Sequence, residues 1–119
     1  MFEDAWKVGI SQPVPPAEEC IKRFYNDCSQ EDIAYALPRL KPQVNAPRVT
    51  PVHLTRERFG SVPKIFIGCE KDNAMTAARR KHVAEHGGAE QVLWLPTGHS
   101  PFFSAPDELA QMMHGLAGE

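Results

Sequence analysis

The sequence predicts an α/β fold: two parallel strands with flanking helices, preceded by a helical, proline-rich half. KIFIGC (64–69) is a nearly continuous apolar run rich in isoleucine and phenylalanine, as in a strand covered on both faces. EQVLWLP (90–96) is a second such run. TAARRKHVAEHGG (76–88) lies between them with helical character, and another helical pattern follows. The order strand, helix, strand, helix calls for a parallel pair joined by a right-handed crossover.

Each element has a local justification. Pro16 suits a first helical turn, and the helix it opens runs to about Phe24. Ser29 is placed as an N-cap, with Asp32 three residues on where a capping box wants a carboxylate. Ile33, Ala36, Leu37 and Leu40 give that second helix an apolar stripe, and Pro38 should kink or end it. From Lys41 to Pro63 the chain is proline-rich and mostly irregular, with HLT (53–55) a candidate extended piece. Thr76 reads as the N-cap of the crossover helix and Gly87 as its C′ residue. Ser104 and Asp107 are expected to cap the last helix, whose Leu109, Met112, Met113 and Leu116 share one face.

Bulk properties bound the function. A chain of 119 residues suffices for one small domain. Its organisation reads as cap-region helices and a proline-rich linker over 1–60, then the strand-helix-strand-helix unit over 61–119. A net charge of −2 gives no basic field for nucleic acid and no polybasic surface for a membrane. Apolar runs are far too short to span a bilayer, and MFEDAWKVG has no secretory pattern. Cys20, Cys28 and Cys69 are an odd number with no close pair, which favours reduced thiols and a cytoplasmic location.

In an open parallel sheet, chemistry gathers at the carboxyl ends of the strands. EKDNAM follows the first strand and presents Asp72; TGHS follows the second and presents His99. Neighbouring strands would bring these loops together. An aspartate can fix the tautomer of a histidine and stabilise its cation, leaving the other ring nitrogen to act as base. The order Asp then His is that of an α/β-hydrolase, whose nucleophilic serine comes earlier.

LTRERFGSVPKIFIGCEKDNAM and LPTGHSPFFSAPDELAQMM together resemble the C-terminal half of α/β-hydrolases, in the branch of plant methyl esterases, hydroxynitrile lyases and their bacterial relatives. FYNDCSQED resembles a cap-region segment of bacterial members, so the resemblance runs from about Phe24 onward. It implies hydrolysis of small apolar carboxylic esters by a Ser-His-Asp triad, with Asp72 the acid, His99 the base, and Phe102 and Phe103 near an apolar acyl or alcohol pocket. No metal or organic cofactor is implied. Lyase members tend to carry a lysine directly after the histidine; here that residue is Ser100.

The departure from the family is the nucleophile. No G-x-S-x-G elbow occurs in the chain. Ser11 and Ser100 each have glycine two before, but proline or phenylalanine two after. The expectation is therefore the C-terminal portion of a larger hydrolase, truncated and inactive alone. Its alternative is a non-catalytic half-domain that associates with itself or a partner through open strand edges.

Other motifs have bland readings. HVAEH (82–86) spells the H-x-x-E-H zinc pattern, but the helix ends at once in Gly87 and Gly88, and a last-turn histidine suits the dipole. Met112 and Met113 read as packing, Arg79, Arg80 and Lys81 as a solvated face, and Cys69 as a small hydrophobe. Cys28 is not promoted to nucleophile, being remote from His99 in sequence.

Overall fold

A computed structural model describes residues 11–118; the reading of the first nine residues lies outside them. β1 (Ser11–Gln12) leads into α1 (Ala17–Phe24), whose start follows Pro16 as the proline predicts. α2 (Gln30–Ala36) begins where Ser29 accepts a hydrogen bond from the backbone N–H of Asp32, which satisfies one of the first turn's free donors. Pro38 does not kink this helix. It sits in a 3₁₀ turn, Leu37–Arg39, that ends it.

The stretch from Lys41 to Pro63 is more ordered than its prolines suggest. β2 (Gln43–Val44) pairs antiparallel with β1, and α3 (Ala46–Val49) follows, with a 3₁₀ turn at Phe59–Ser61. Residues 53–55 form no strand.

β3 (Ile65–Cys69) and β4 (Gln91–Leu95) pair in parallel with Phe66 opposite Val92 and Gly68 opposite Trp94. α4 (Ala77–His86) is the crossover between them. Thr76 caps it through the backbone N–H of Arg79. Its left-handed residue is Gly88, at φ 77°, one position beyond the expected Gly87. α5 (Pro101–Ser104) is a single turn after β4, and α6 (Pro106–Ala117) closes the chain. Ser104 lies inside α5, so it does not cap α6. Ala105 occupies that position without a side-chain bond, and Pro106 supplies the first turn.

The best-buried cluster lies between the N-terminal helices and α5, not on the sheet. Tyr25, Ile33 and Ala36 form its centre, with Ile21, Phe24, Leu37, Leu40 and Phe103 packed around them. Edge-to-face contacts of Phe103 with Tyr25 and Tyr35 tie α5 to this cluster. The strands are less covered than their apolar runs predict. Ile65 is 44% and Trp94 40% exposed, so neither strand is enclosed on both faces. α6 turns Leu109, Met112 and Leu116 to a half-buried face, leaves Met113 exposed, and has no buried residue.

Gly68 shows how closely the two strands' side chains meet. A Cβ there would fall 2.3 Å from the Trp94 ring. Gly68→Ala should therefore displace the indole and cost about 1–3 kcal/mol. Gly115→Ala in α6, where a Cβ meets nothing within 4 Å, should instead stabilise by about 0.5–1 kcal/mol. Urea unfolding followed by circular dichroism reads both; a neutral Gly68→Ala would contradict the close approach.

Candidate active site

The two polar loops at the carboxyl ends of β3 and β4 meet. Backbone hydrogen bonds from Glu70 N–H to the Leu95 carbonyl (2.9 Å) and from Lys71 N–H to the Thr97 carbonyl (2.8 Å) carry the parallel pairing past the strand ends. They bring Asp72 and His99 together. His99 Nδ1 lies 2.9 Å from Asp72 Oδ2.

Each partner is held by its own loop. Asp72 Oδ1 accepts hydrogen bonds from the backbone N–H groups of Ala74 (2.7 Å) and Met75 (2.9 Å), so both carboxylate oxygens are engaged and the side chain is only 7% exposed. Burial pushes this carboxyl up. The hydrogen bonds from His99, Met75 and Ala74, and the histidine's charge when protonated, outweigh that push and hold it below the usual carboxylate range. Thr97, Gly98 and Ser100 are buried, whereas the His99 side chain is 42% exposed. With Nδ1 turned to the aspartate, Nε2 is left for other chemistry.

A third segment locks the arrangement. The turn after α1, YNDC (25–28), lies across both loops. Asp27 Oδ2 accepts the Gly98 N–H at 2.7 Å, the Asn26 amide donates to the Lys71 carbonyl at 2.9 Å, and Ser100 Oγ donates to the Phe24 carbonyl at 2.7 Å. Asn73 reaches back to the Lys22 carbonyl at 2.9 Å. Gly98 permits the approach: a Cβ there would lie 2.0 Å from Asn26 Oδ1. The Phe24 ring sits beside His99, 5.6 Å between centroids.

Several sequence readings change here. Arg80 is not part of a solvated face. Its guanidinium donates to the carbonyls of Asp72 (2.7 Å), Glu70 (2.9 Å) and Met75, which staples the aspartate loop onto α4. Its clustering with Arg79 and Lys81 gave no signal of this; only the i−8 and i−10 carbonyls reveal it. Phe102 and Phe103 are not at the cleft beside His99. Phe103 belongs to the buried cluster, and Phe102 is 59% exposed, because α5 turns one ring inward and its neighbour outward. Phe24, Leu40 and Val14 supply the cleft's apolar lining instead.

The remaining candidates do not join the Asp72–His99 pair. His82 and His86 lie side by side on α4, 4.8 Å between ring centroids, and no group of three metal-capable side chains occurs among the described residues. Cys28 is a poor nucleophile: burial, then the charges of Asp27 and Asp32, push its thiol up. Ser100 is buried with its hydroxyl committed to Phe24. No helix among the described residues is long and apolar enough to cross a membrane.

No protein-family model matches the chain. Among known proteins it is similar to methylesterase 10 of Arabidopsis thaliana, 27% identical over 101 residues, which are 82% of this chain and 37% of that protein. It is also similar to norfluorocurarine synthase 2 of Strychnos sp, 30% identical over 94 residues, 76% of this chain and 35% of that one. Some methylesterase relatives from Arabidopsis thaliana are chloroplastic. The crystal structure of polyneuridine aldehyde esterase superposes with a TM-score of 0.77 at 20% identity, covering 96% of this chain and 50% of that one. The fold is thus that of part of an α/β-hydrolase, and the chain spans about half or less of the relatives it matches.

The lowered Asp72 pKa makes a pH prediction. A carboxyl depressed in the folded state adds stability that is full above its unfolded pKa, about 3.9, and is lost as pH falls through the folded value. Asp72→Asn keeps the shape and removes the titration. Wild-type stability in urea should fall more steeply than that of Asp72→Asn as pH drops from about 5 to about 2. Parallel curves would show that the aspartate is not stabilised as a carboxylate.

Proposed function

We propose that this chain supplies the acid and base of a Ser-His-Asp triad that hydrolyses carboxylic esters. The observation that carries the reading is the 2.9 Å bond from His99 Nδ1 to a buried, doubly anchored Asp72 at the carboxyl ends of two paired parallel strands. Similarity to proteins named as esterases supports the reaction class. In the proposed cycle, His99 Nε2 takes the proton of a serine hydroxyl as its oxygen attacks the ester carbonyl. The proton passes to the leaving alkoxide, the alcohol departs, and water repeats the sequence to free the acid and the serine. Asp72 holds the imidazole's orientation and balances its charge while it carries the proton.

The serine and the oxyanion donors are not furnished by the 119 residues, which contain no G-x-S-x-G. On this reading residues 1–60 are cap and linker, 61–119 are the C-terminal unit, and the site works in a reducing compartment such as the cytoplasm. A chimera tests the assignment: residues 24–118 replace the corresponding part of polyneuridine aldehyde esterase. It should turn over short p-nitrophenyl esters, and His99→Ala should lower kcat by about 10⁴-fold or more. Undiminished turnover in that variant would remove His99 from the reaction. The 119-residue chain alone should take no fluorophosphonate label; a stoichiometric label on Ser11 or Ser100 would place a nucleophile within it.

A second reading, association with another chain, is favoured by the exposed surface. Ile65 and Trp94 on the strands, with Met113 on α6, contribute large apolar side chains to that surface. Light scattering coupled to size exclusion should find dimers or larger species at about 100 μM, the range of a weak self-contact. A monomer at all concentrations would reject self-association.

A further inference from the structure

The cleft beside His99 holds about 430 Å³ and is lined by charge of one sign. Arg23, Lys41 and Arg48 all border it, and among the described residues no aspartate or glutamate does. In a chain of net charge −2, three cations around one opening are a local reversal of the overall balance. Their partners leave most of this charge uncompensated. Arg23 is shared with Glu19 at 3.0 Å, an exposed pair on α1. Arg48 donates to the neutral Gln12 Oε1 at 2.7 Å, which positions the guanidinium without neutralising it. Lys41 has no ion pair or hydrogen-bond acceptor among the described residues. The nearest catalytic carboxylate, Asp72, is occupied by His99 and two backbone amides.

The apolar side chains Val14, Phe24 and Leu40 line the same opening, which is therefore amphipathic: hydrocarbon walls, cations, and the histidine. We propose that the site takes an ester bearing a second, free carboxylate, a half-ester of a dicarboxylic acid. Its spacer lies on Phe24 and Leu40, its carboxylate faces Lys41 and Arg48, and its ester carbonyl is at His99. Hydrolysis breaks the acyl–oxygen bond. Water supplies hydroxyl to the acyl carbon and a proton to the alkoxide, and the new carboxylic acid releases its proton to solvent, so one dicarboxylate, one alcohol and one proton leave. This rests on the ester-hydrolysis reading for the reaction but not for the binding: cation–carboxylate recognition is independent of whether His99 turns the substrate over.

Binding to the 119-residue chain tests it. Monomethyl glutarate is titrated into ¹⁵N-labelled protein, with dimethyl glutarate and inorganic phosphate as parallel arms. The monoester should shift the amides around Lys41–Val44 and His99 saturably, about tenfold more tightly than the diester or phosphate. Its affinity should fall severalfold between about 20 and about 200 mM NaCl. Lys41→Met and Arg48→Gln should each weaken binding about tenfold, while Arg48→Lys, which keeps the charge, should retain most of it. A preserved amide spectrum in each variant reports an intact fold. Equal binding of the diester overturns the carboxylate requirement, and equal binding of phosphate reduces the cleft to a general anion site. Absence of shifts, or indifference to both substitutions, overturns the proposal outright. If the 119-residue chain binds the monoester as expected while the chimera is inactive, the triad reading fails and the anion cleft stands.

Discussion

The site depends on one short clamp, the Asp27 carboxylate on the Gly98 N–H. The pairing of β3 and β4 reaches only to the Lys71 N–H on the Thr97 carbonyl, and the polar histidine loop beyond it needs another anchor. Here the turn YNDC, held between α1 and α2, crosses both loops at once. Asn26 fixes the Asp72 loop through the Lys71 carbonyl, and Asp27 fixes the His99 loop at Gly98, three residues past Leu95 at the end of β4. Two adjacent side chains in one turn thus set the separation of two loops 27 residues apart in sequence. Gly98 follows from this, since any Cβ would collide with Asn26.

The clamp also explains why the best-packed part of the molecule is not the sheet. Tyr25 is both a neighbour of Asn26 in the turn and a centre of the buried cluster with Ile33 and Ala36. Phe103, in the α5 turn that follows Ser100, enters that cluster from the side of the histidine loop. Packing of Phe103 against Tyr25 therefore pulls the His99 loop and the YNDC turn toward each other, in the same sense as the hydrogen bonds between them. Hydrophobic burial supplies a non-directional pull, and the polar contacts fix the register. Arg80 performs the corresponding task on the other side, gathering three carbonyls of the aspartate loop onto α4.

What was legible in the sequence was what local chemistry determines. Ser29 and Thr76 cap the helices they were expected to cap, because a hydroxyl three residues before a free N–H needs no tertiary help. The parallel pair was legible from two apolar runs of strand length with a helix between them. What failed depended on neighbours. Nothing local distinguishes Arg80 from Arg79, since a guanidinium reaching carbonyls of the preceding loop leaves no periodic signal. Ser104 looked like a cap because its spacing to Asp107 is right, but the α5 turn absorbs it. Phe102 and Phe103 were assigned to a pocket by analogy; α5 turns Phe103 into the buried cluster and Phe102 outward, which no spacing along the chain foretells. Nor do Arg23, Lys41 and Arg48 form any pattern along the chain; only folding gathers them at one opening.

The strands were expected to be enclosed, and their exposure is the more informative difference. Isoleucine and phenylalanine at β3, and valine, leucine and tryptophan at β4, have the composition of a buried sheet, yet Ile65 and Trp94 face solvent. α6 likewise has a helical apolar face with no residue fully buried. The histidine loop, by contrast, buries Thr97, Gly98 and Ser100 and leaves the His99 side chain 42% exposed. The YNDC turn and Arg80 hold the Asp72–His99 pair from within the chain. On the proposed ester-hydrolysis reading, what packs on β3, β4 and α6 brings a nucleophile to the imidazole.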